Sequence, residues 1–411
     1  MAEANPGGPA LAARSSDAAA SETRSSGGQP AGRYTLGYQP ALDGIRALSV
    51  AAVLAFHAGY SWARGGYLGV DAFFVLSGYL ITSLLIVEWR RTGRISLSGF
   101  WARRARRLLP ALYLVLLWMV GYAVIFSDTV RLDRLREDVI AVLTGISNWW
   151  PLIIDREYFT PLRHMWSLSI EQQYYVVWPL LFLAFIRVAR DPMKGLLYGT
   201  LAVGLVSVFL SVWLYDPDVV PTRIHFGTDT RAQSLLVGAA LAAVLAQRGP
   251  LRGRYVNFAL QVVALACCAA VVYSWWSIAL HDEFLFRGGY LLFALAVAVV
   301  ILAALQPEGA FVGRLLALPP LPQLGLISYG IYLWHWPVYW VLTPDRVELE
   351  GYPLFAARVA LTVFIAAVSY NLIEVPFRRG AFRRLWVSWS FAPASAVCIA
   401  AMIVWVTQTG I

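Results

Sequence analysis

The sequence predicts an all-α polytopic membrane protein of about eleven transmembrane helices plus one re-entrant segment. Three observations carry this. The chain of 411 residues is 59% hydrophobic and only 14% charged, with a mean hydropathy of +0.61. Apolar runs of about 20 residues, the length that crosses hydrocarbon as a helix, recur from one end to the other. The arginines gather in short stretches between those runs, where positive charge marks the cytoplasmic side. In a soluble protein the net charge of +9 would suggest nucleic acid. Topology accounts for it here, and no nucleic-acid partner is expected.

Residues 1–35 are rich in Ala, Ser, Gly and Pro and hold no apolar run. They read as a disordered cytoplasmic tail rather than a signal peptide. Apolar segments then fall at 42–60, 68–88, 108–127, 139–153, 166–186, 196–214, 232–247, 255–276, 289–305, 321–343, 353–373 and 387–407. The stretch 89–107 carries seven arginines and is assigned to the cytoplasm. Counting 139–153 as a full span would put Arg187, Arg190 and Lys194 outside, and later Arg378, Arg379, Arg383 and Arg384. That segment is short and contains Gly145, Ser147, Asn148 and Pro151, which suits a broken, re-entrant helix lining a cavity. Eleven spans remain, with the N-terminus inside and the C-terminus outside. The membrane domain runs over 36–386, and 387–411 adds one more helix.

The first span carries Arg46 and His57 in an otherwise apolar run. Eleven positions at about 100° each return to within roughly 20° of one helix face, about 16 Å apart along the axis. Both groups are costly in hydrocarbon, so each needs a partner or a polar cavity. A site cut into the bilayer is therefore expected. Arg46, Arg104 and Arg107 fall at the cytoplasmic end. His57, Tyr67, Asp71, His164, Trp166, Glu171 and His335 fall in the outer half. Lys194 is the only lysine, which makes a Schiff-base mechanism unattractive. Cys267, Cys268 and Cys398 have neither metal-ligand nor disulfide spacing, and no metal is expected.

Several stretches occur together in a fixed order: LDGIRALSVAAVLAFH, GYLGVDAFFVLSGYLIT, FWARRARRLLP, MWSLSIEQQYYVVWP, ISYGIYLWHWPV and IEVPFRR. Over about residues 38–385 the chain resembles the acyltransferase-3 family of integral-membrane O-acyltransferases. The resemblance implies transfer of an acyl group, often acetyl, from cytoplasmic acyl-CoA to a hydroxyl of a cell-surface or exported carbohydrate. It implies a multi-pass protein of the bacterial inner membrane, among membrane lipids, with a glycan as acceptor. The family's essential arginine and histidine match Arg46 and His57. Its Arg-x2-Arg pair matches Arg104 and Arg107, although Arg103 and Arg106 fit the same spacing. Its glutamate matches Glu171. Some members carry an extracytoplasmic SGNH hydrolase-like domain after an eleventh span, so an SGNH-type domain or partner is expected to work with this chain.

Each residue also has a plainer reading. His57 serves as general base or brief acyl carrier, or simply bonds two helices. Arg104 and Arg107, at i and i+3 where a helix enters the membrane, can grip a diphosphate; most arginine-rich loops only set topology. Arg46 holds the CoA arm or pairs with Asp43. Glu171 orients His57 or moves a proton, or fixes packing. His164 contacts acceptor or His57. Asp71 fixes Tyr67 or an arginine. Trp166, Trp334 and Trp336 read mainly as packing, and His335 as structural or lining. A transporter or flippase for a lipid-linked or glycosylated intermediate remains the alternative, though no internal repeat supports it.

Overall fold

Helix α1 spans Pro40–His57, with Pro40 in its first turn, where a fixed φ and a missing N–H cost nothing. It opens a computed structural model that describes residues 37–126, 132–154, 160–307, 310–379, 396–402 and 404. The tail expected over 1–35 and most of the helix expected over 387–411 lie outside the described residues.

The other long helices are α2 (Gly69–Thr92), α3 (Leu97–Ile125), α4 (Leu132–Leu143), α5 (Trp166–Val188), α6 (Pro192–Trp213), α7 (Thr228–Arg248), α8 (Arg254–Ser277), α9 (Tyr290–Ala304), α10 (Ser328–Val341) and α11 (Gly351–Ser369). Among the described residues every regular element is helical. Seven helical stretches among them are long and apolar enough to cross a membrane. Helices α5, α7 and α10 fall short of that measure. They carry Glu171, Gln172 and Gln173, then Asp229, Arg231 and Gln233, and then a break after Leu326. The first two are lowered by polar groups, and α10, with 14 residues, is too short.

Three boundaries differ from the sequence reading. The arginine-rich stretch is not all loop: Ser96 caps α3 by accepting a hydrogen bond from the Gly99 N–H, so residues 97–107 already form its first turns. The expected span 321–343 is a short helix, Leu321–Leu326, followed by α10. The segment 139–153 is the end of α4, a turn at Gly145 with φ +71°, and a short helix Trp150–Ile153. The left-handed turn needs glycine. The amide of Gln173 on α5 donates to Gly145 O (2.7 Å) and Asn148 Oδ1 (2.9 Å), satisfying the broken backbone from inside the protein.

Helices α2 and α7 make the most extensive pairing. Gly78 of α2 lies against the carbonyl of Leu235, and Gly238 of α7 against that of Val75. A Cβ at either position would overlap backbone, so two small residues set this approach. Between these helices lies an ion pair, Arg231 to Asp71 at 2.7 Å, with side chains 1% and 0% exposed. Ser234 donates a further hydrogen bond to Asp71 (3.1 Å), and the Arg231 guanidinium lies 3.8 Å from the Tyr290 ring centroid. Asp71 thus fixes an arginine, one of its two expected roles.

Candidate active site

Two cavities flank the middle of the bundle. The first occupies about 870 Å³ with its opening and is lined by Arg46, Arg104 and Arg107, with Ser77, Glu171, Tyr175, Ser328, Tyr329 and Tyr332 among the polar groups. Helix α1 brings Arg46, which also pairs with Asp43 at 3.0 Å. Arg46 is thus paired with Asp43 and also lines the cavity. The first turns of α3 bring Arg104 and Arg107 together because i and i+3 share a face. Arg103 is exposed and pairs with Glu88 at 2.7 Å, while Arg106 Nε donates to its own helix at Ala102 O (3.2 Å). Of the two frames the sequence leaves open, Arg104 and Arg107 are the pair that lines the cavity. Among the described residues neither has a carboxylate partner, and Arg104 Nε has no hydrogen bond. Guanidiniums facing a cavity without acids of their own suit a phosphorylated ligand.

Among the described residues Glu171 is the one carboxylate lining this cavity. Tyr175 OH donates to its Oε1 at 3.0 Å, and Ser77 Oγ donates to the same oxygen. Among the described residues no hydrogen bond joins Glu171 to His57. The expected orientation of His57 by Glu171 is not what the fold provides, because Glu171 lies a full turn into α5 and faces the arginines.

The second cavity, about 960 Å³, is lined by His57, His164, His225 and His281, with Arg163, Tyr67, Trp166 and Trp336. The chain has five histidines, and the fifth, His335, touches this group from behind. Its Nε2 lies 3.1 Å from His57 Nδ1 and its Nδ1 lies 2.5 Å from Tyr332 O. The His164 ring centroid is 5.3 Å from that of His335, and His164 Nε2 donates to Leu333 O at 3.2 Å. Among the described residues no acidic side chain lines this cavity, so none of them favours a cationic imidazole there. Among the described residues no three His, Cys, Asp or Glu side chains converge as metal ligands.

Val70 and Tyr332 line both cavities. Tyr332 OH donates to His164 O (2.7 Å) and accepts from Ser167 Oγ (2.6 Å). The two cavities thus adjoin at Val70 and Tyr332. On the outer rim Arg223 grips Asp229 with two hydrogen bonds, 2.9 and 2.6 Å, and lies 4.8 Å from the Trp149 ring centroid. Partial burial would raise the Asp229 carboxyl, but Arg223 outweighs it and holds the group below the usual carboxylate range.

A family model described as an acyltransferase domain matches residues 39–407. The chain belongs to the acyltransferase-3 family. Among acyltransferase-3 relatives it is 39% identical over 360 residues to the peptidoglycan O-acetyltransferase OatA of Listeria monocytogenes, covering 85% of this chain and 57% of that one. It is 38% identical over 361 residues to the putative peptidoglycan O-acetyltransferase YrhL of Bacillus subtilis, covering 84% and 56%. It is 33% identical over 361 residues to the O-acetyltransferase OatA of Staphylococcus aureus, covering 85% and 59%. The chain therefore spans a little over half the length of these relatives. No solved structure matches it.

Ser77, Tyr175, His225 and His281 were not among the residues assigned a role from sequence, and His335 was read only as structural or lining. Ser77 and His335 lie within ordered family stretches, and Tyr175 is i+4 from Glu171. His225 and His281 lie outside those stretches; the scarcity of histidine was the one available signal.

Proposed function

We propose that this chain is the membrane part of an O-acetyltransferase for cell-wall carbohydrate, taking acetyl from acetyl-CoA. The observation that carries the proposal is the pair of neighbouring cavities that share Val70 and Tyr332 as lining residues, arginines lining one and His57 the other. Arg46, Arg104 and Arg107 hold the donor's phosphates at the cytoplasmic side. The thioester end reaches past Tyr329 and Tyr332 toward His57. Arg46 and His57 are eleven residues apart on one helix, about 16 Å, a span suited to the phosphopantetheine arm.

His57 takes the proton of an attacking hydroxyl as that oxygen adds to the thioester carbonyl carbon. The carbon–sulfur bond breaks, and the departing thiolate takes the proton from the imidazolium, leaving free CoA thiol and an acetyl ester. The hydroxyl belongs to the peptidoglycan named in the relatives' descriptions, or to an extracytoplasmic SGNH-type domain or partner that passes the group on. The same reading sets eleven spans in the bacterial cell membrane, the N-terminus inside and the C-terminus outside, with 139–153 re-entrant.

Turnover of labelled acetyl-CoA in reconstituted vesicles tests this. His57→Ala and His57→Gln should insert, bind donor and lose transfer by about 10²-fold or more, since neither side chain accepts a proton at neutral pH. Wild-type turnover in purified His57→Ala overturns the mechanism. A transporter would instead move glycan without forming an ester.

A further inference from the structure

The three groups Tyr332 O, His335 and His57 form a directed relay of hydrogen bonds, from which the proton positions follow. A carbonyl oxygen only accepts, so the ring nitrogen 2.5 Å from Tyr332 O carries hydrogen; it is Nδ1 of His335. A neutral imidazole has one N–H, so Nε2 of His335 presents a lone pair. That lone pair faces Nδ1 of His57 at 3.1 Å, and His57 must therefore be the donor there. The hydrogen of His57 is fixed on Nδ1, and its Nε2 is left as a free base. Among the described residues no acid lines the histidine cavity to place a second proton on either ring. Both ring positions are held: His335 is fully buried, and the Trp336 ring, itself tied by its Nε1–H to Thr160 O at 2.9 Å, packs edge-on to His57 at 4.6 Å.

We infer that His335 is a positioning residue that selects the Nδ1–H tautomer of His57 and so leaves Nε2 of His57 as the proton-accepting atom. The inference rests on the proposed role of His57 as base. The orienting group is a second neutral histidine anchored on a backbone carbonyl, not the carboxylate that Glu171 would have supplied. The chemical consequence is that no charge is stored beside the base, and the acceptor hydroxyl must approach from the side of Nε2.

Substitutions at His335 separate positioning from packing. Gln places an amide oxygen near the position of Nε2 and can accept from His57. Asn places its amide near Nδ1, keeps the bond to Tyr332 O and cannot reach His57. Phe keeps the ring and has no acceptor. Transfer by His335→Gln should stay within about tenfold of wild type. His335→Asn and His335→Phe should lose at least about 10²-fold in kcat, with donor KM changed by less than about threefold. Solid-state nitrogen spectra of histidine-labelled protein in bilayers, assigned with single-histidine variants, should show His57 protonated on Nδ1 in wild type and His335→Gln. In His335→Asn and His335→Phe the proton should move to Nε2. A wild-type spectrum with His57 protonated on Nε2, or wild-type kcat in His335→Phe, overturns the inference. The spectrum reads the hydrogen bond without turnover, so its failure is distinct from a failure of His57 as base.

Discussion

The two Arg-x2-Arg frames at the start of α3 differ by one residue, and one residue is 100° of helix. That rotation separates a cavity-facing pair, Arg104 and Arg107, from Arg103 on the surface and Arg106 on its own backbone. Replacing Arg104 and Arg107 together with Ala should weaken acetyl-CoA binding by about 10²-fold, because charge-assisted hydrogen bonds contribute about 1.5–3 kcal/mol each. Lys at both positions should restore only part of it, since an ammonium lacks the planar fork, and Arg103→Ala should change donor affinity little. Isothermal titration with acetyl-CoA on the purified protein reads all of these; full affinity in the double Ala variant would assign the pair to topology. Arg46 and His57 were legible as one face because both lie on one unbroken helix. The partner of His57 was not, because helical period says nothing about which other helix stands opposite. His335 lies 278 residues away from it, and Glu171, the sequence-based choice, is turned to the other cavity.

At the scale of elements, the helices were legible where apolar length sets them and less so where polarity or breakage intervenes. Arginine is a good helix former, so the stretch read as loop joins α3 once Ser96 caps it. The discontinuity after Leu326 left little trace in hydropathy, since both halves are apolar; it is set by close approach, Gly325 lying against the Asp43 carbonyl of α1. The break at Gly145 was legible because glycine, asparagine and proline announce it. Helix α4 has 12 residues, about 18 Å, too short to cross some 30 Å of hydrocarbon. The re-entrant topology therefore makes a definite prediction. Asp133 and Arg163 lie in exposed positions on either side of the segment. In a cysteine-free background, cysteines placed at 133 and 163 should both react with an impermeant thiol reagent added outside intact cells. Labelling at only one of them would make 139–153 a crossing segment and invert the depth of every later helix.

For the whole molecule, the polar interior divides into two chambers with different chemistry. Among the described residues three arginines and a hydroxyl-bound glutamate line one, and a group of histidines with no acid lines the other. The Arg231–Asp71 pair, joined across the glycine contact of α2 and α7, holds the frame between them. Breaking one side of a buried pair leaves an uncompensated charge, commonly at a cost of about 3–5 kcal/mol, so that pair bears on stability. Communication depends on the partition. Val70 lines both cavities from the first turn of α2, and Tyr332 is anchored by hydrogen bonds to His164 and Ser167. Enlarging Val70 should therefore close the path while leaving both chambers formed. Val70→Trp should keep acetyl-CoA binding at the arginines and lose transfer to an outer acceptor by at least about 10²-fold. Val70→Ile, which adds one methylene, serves as the graded step, because overpacking itself costs about 1–3 kcal/mol and Trp alone would confuse blockage with strain. The measurements are donor binding, thermal stability and transfer in oriented vesicles with donor supplied on the arginine side. Wild-type transfer in a stable Val70→Trp protein would mean that acetyl does not pass between these cavities. A fall in donor binding equal to the fall in transfer would mean that Val70 shapes the donor chamber alone.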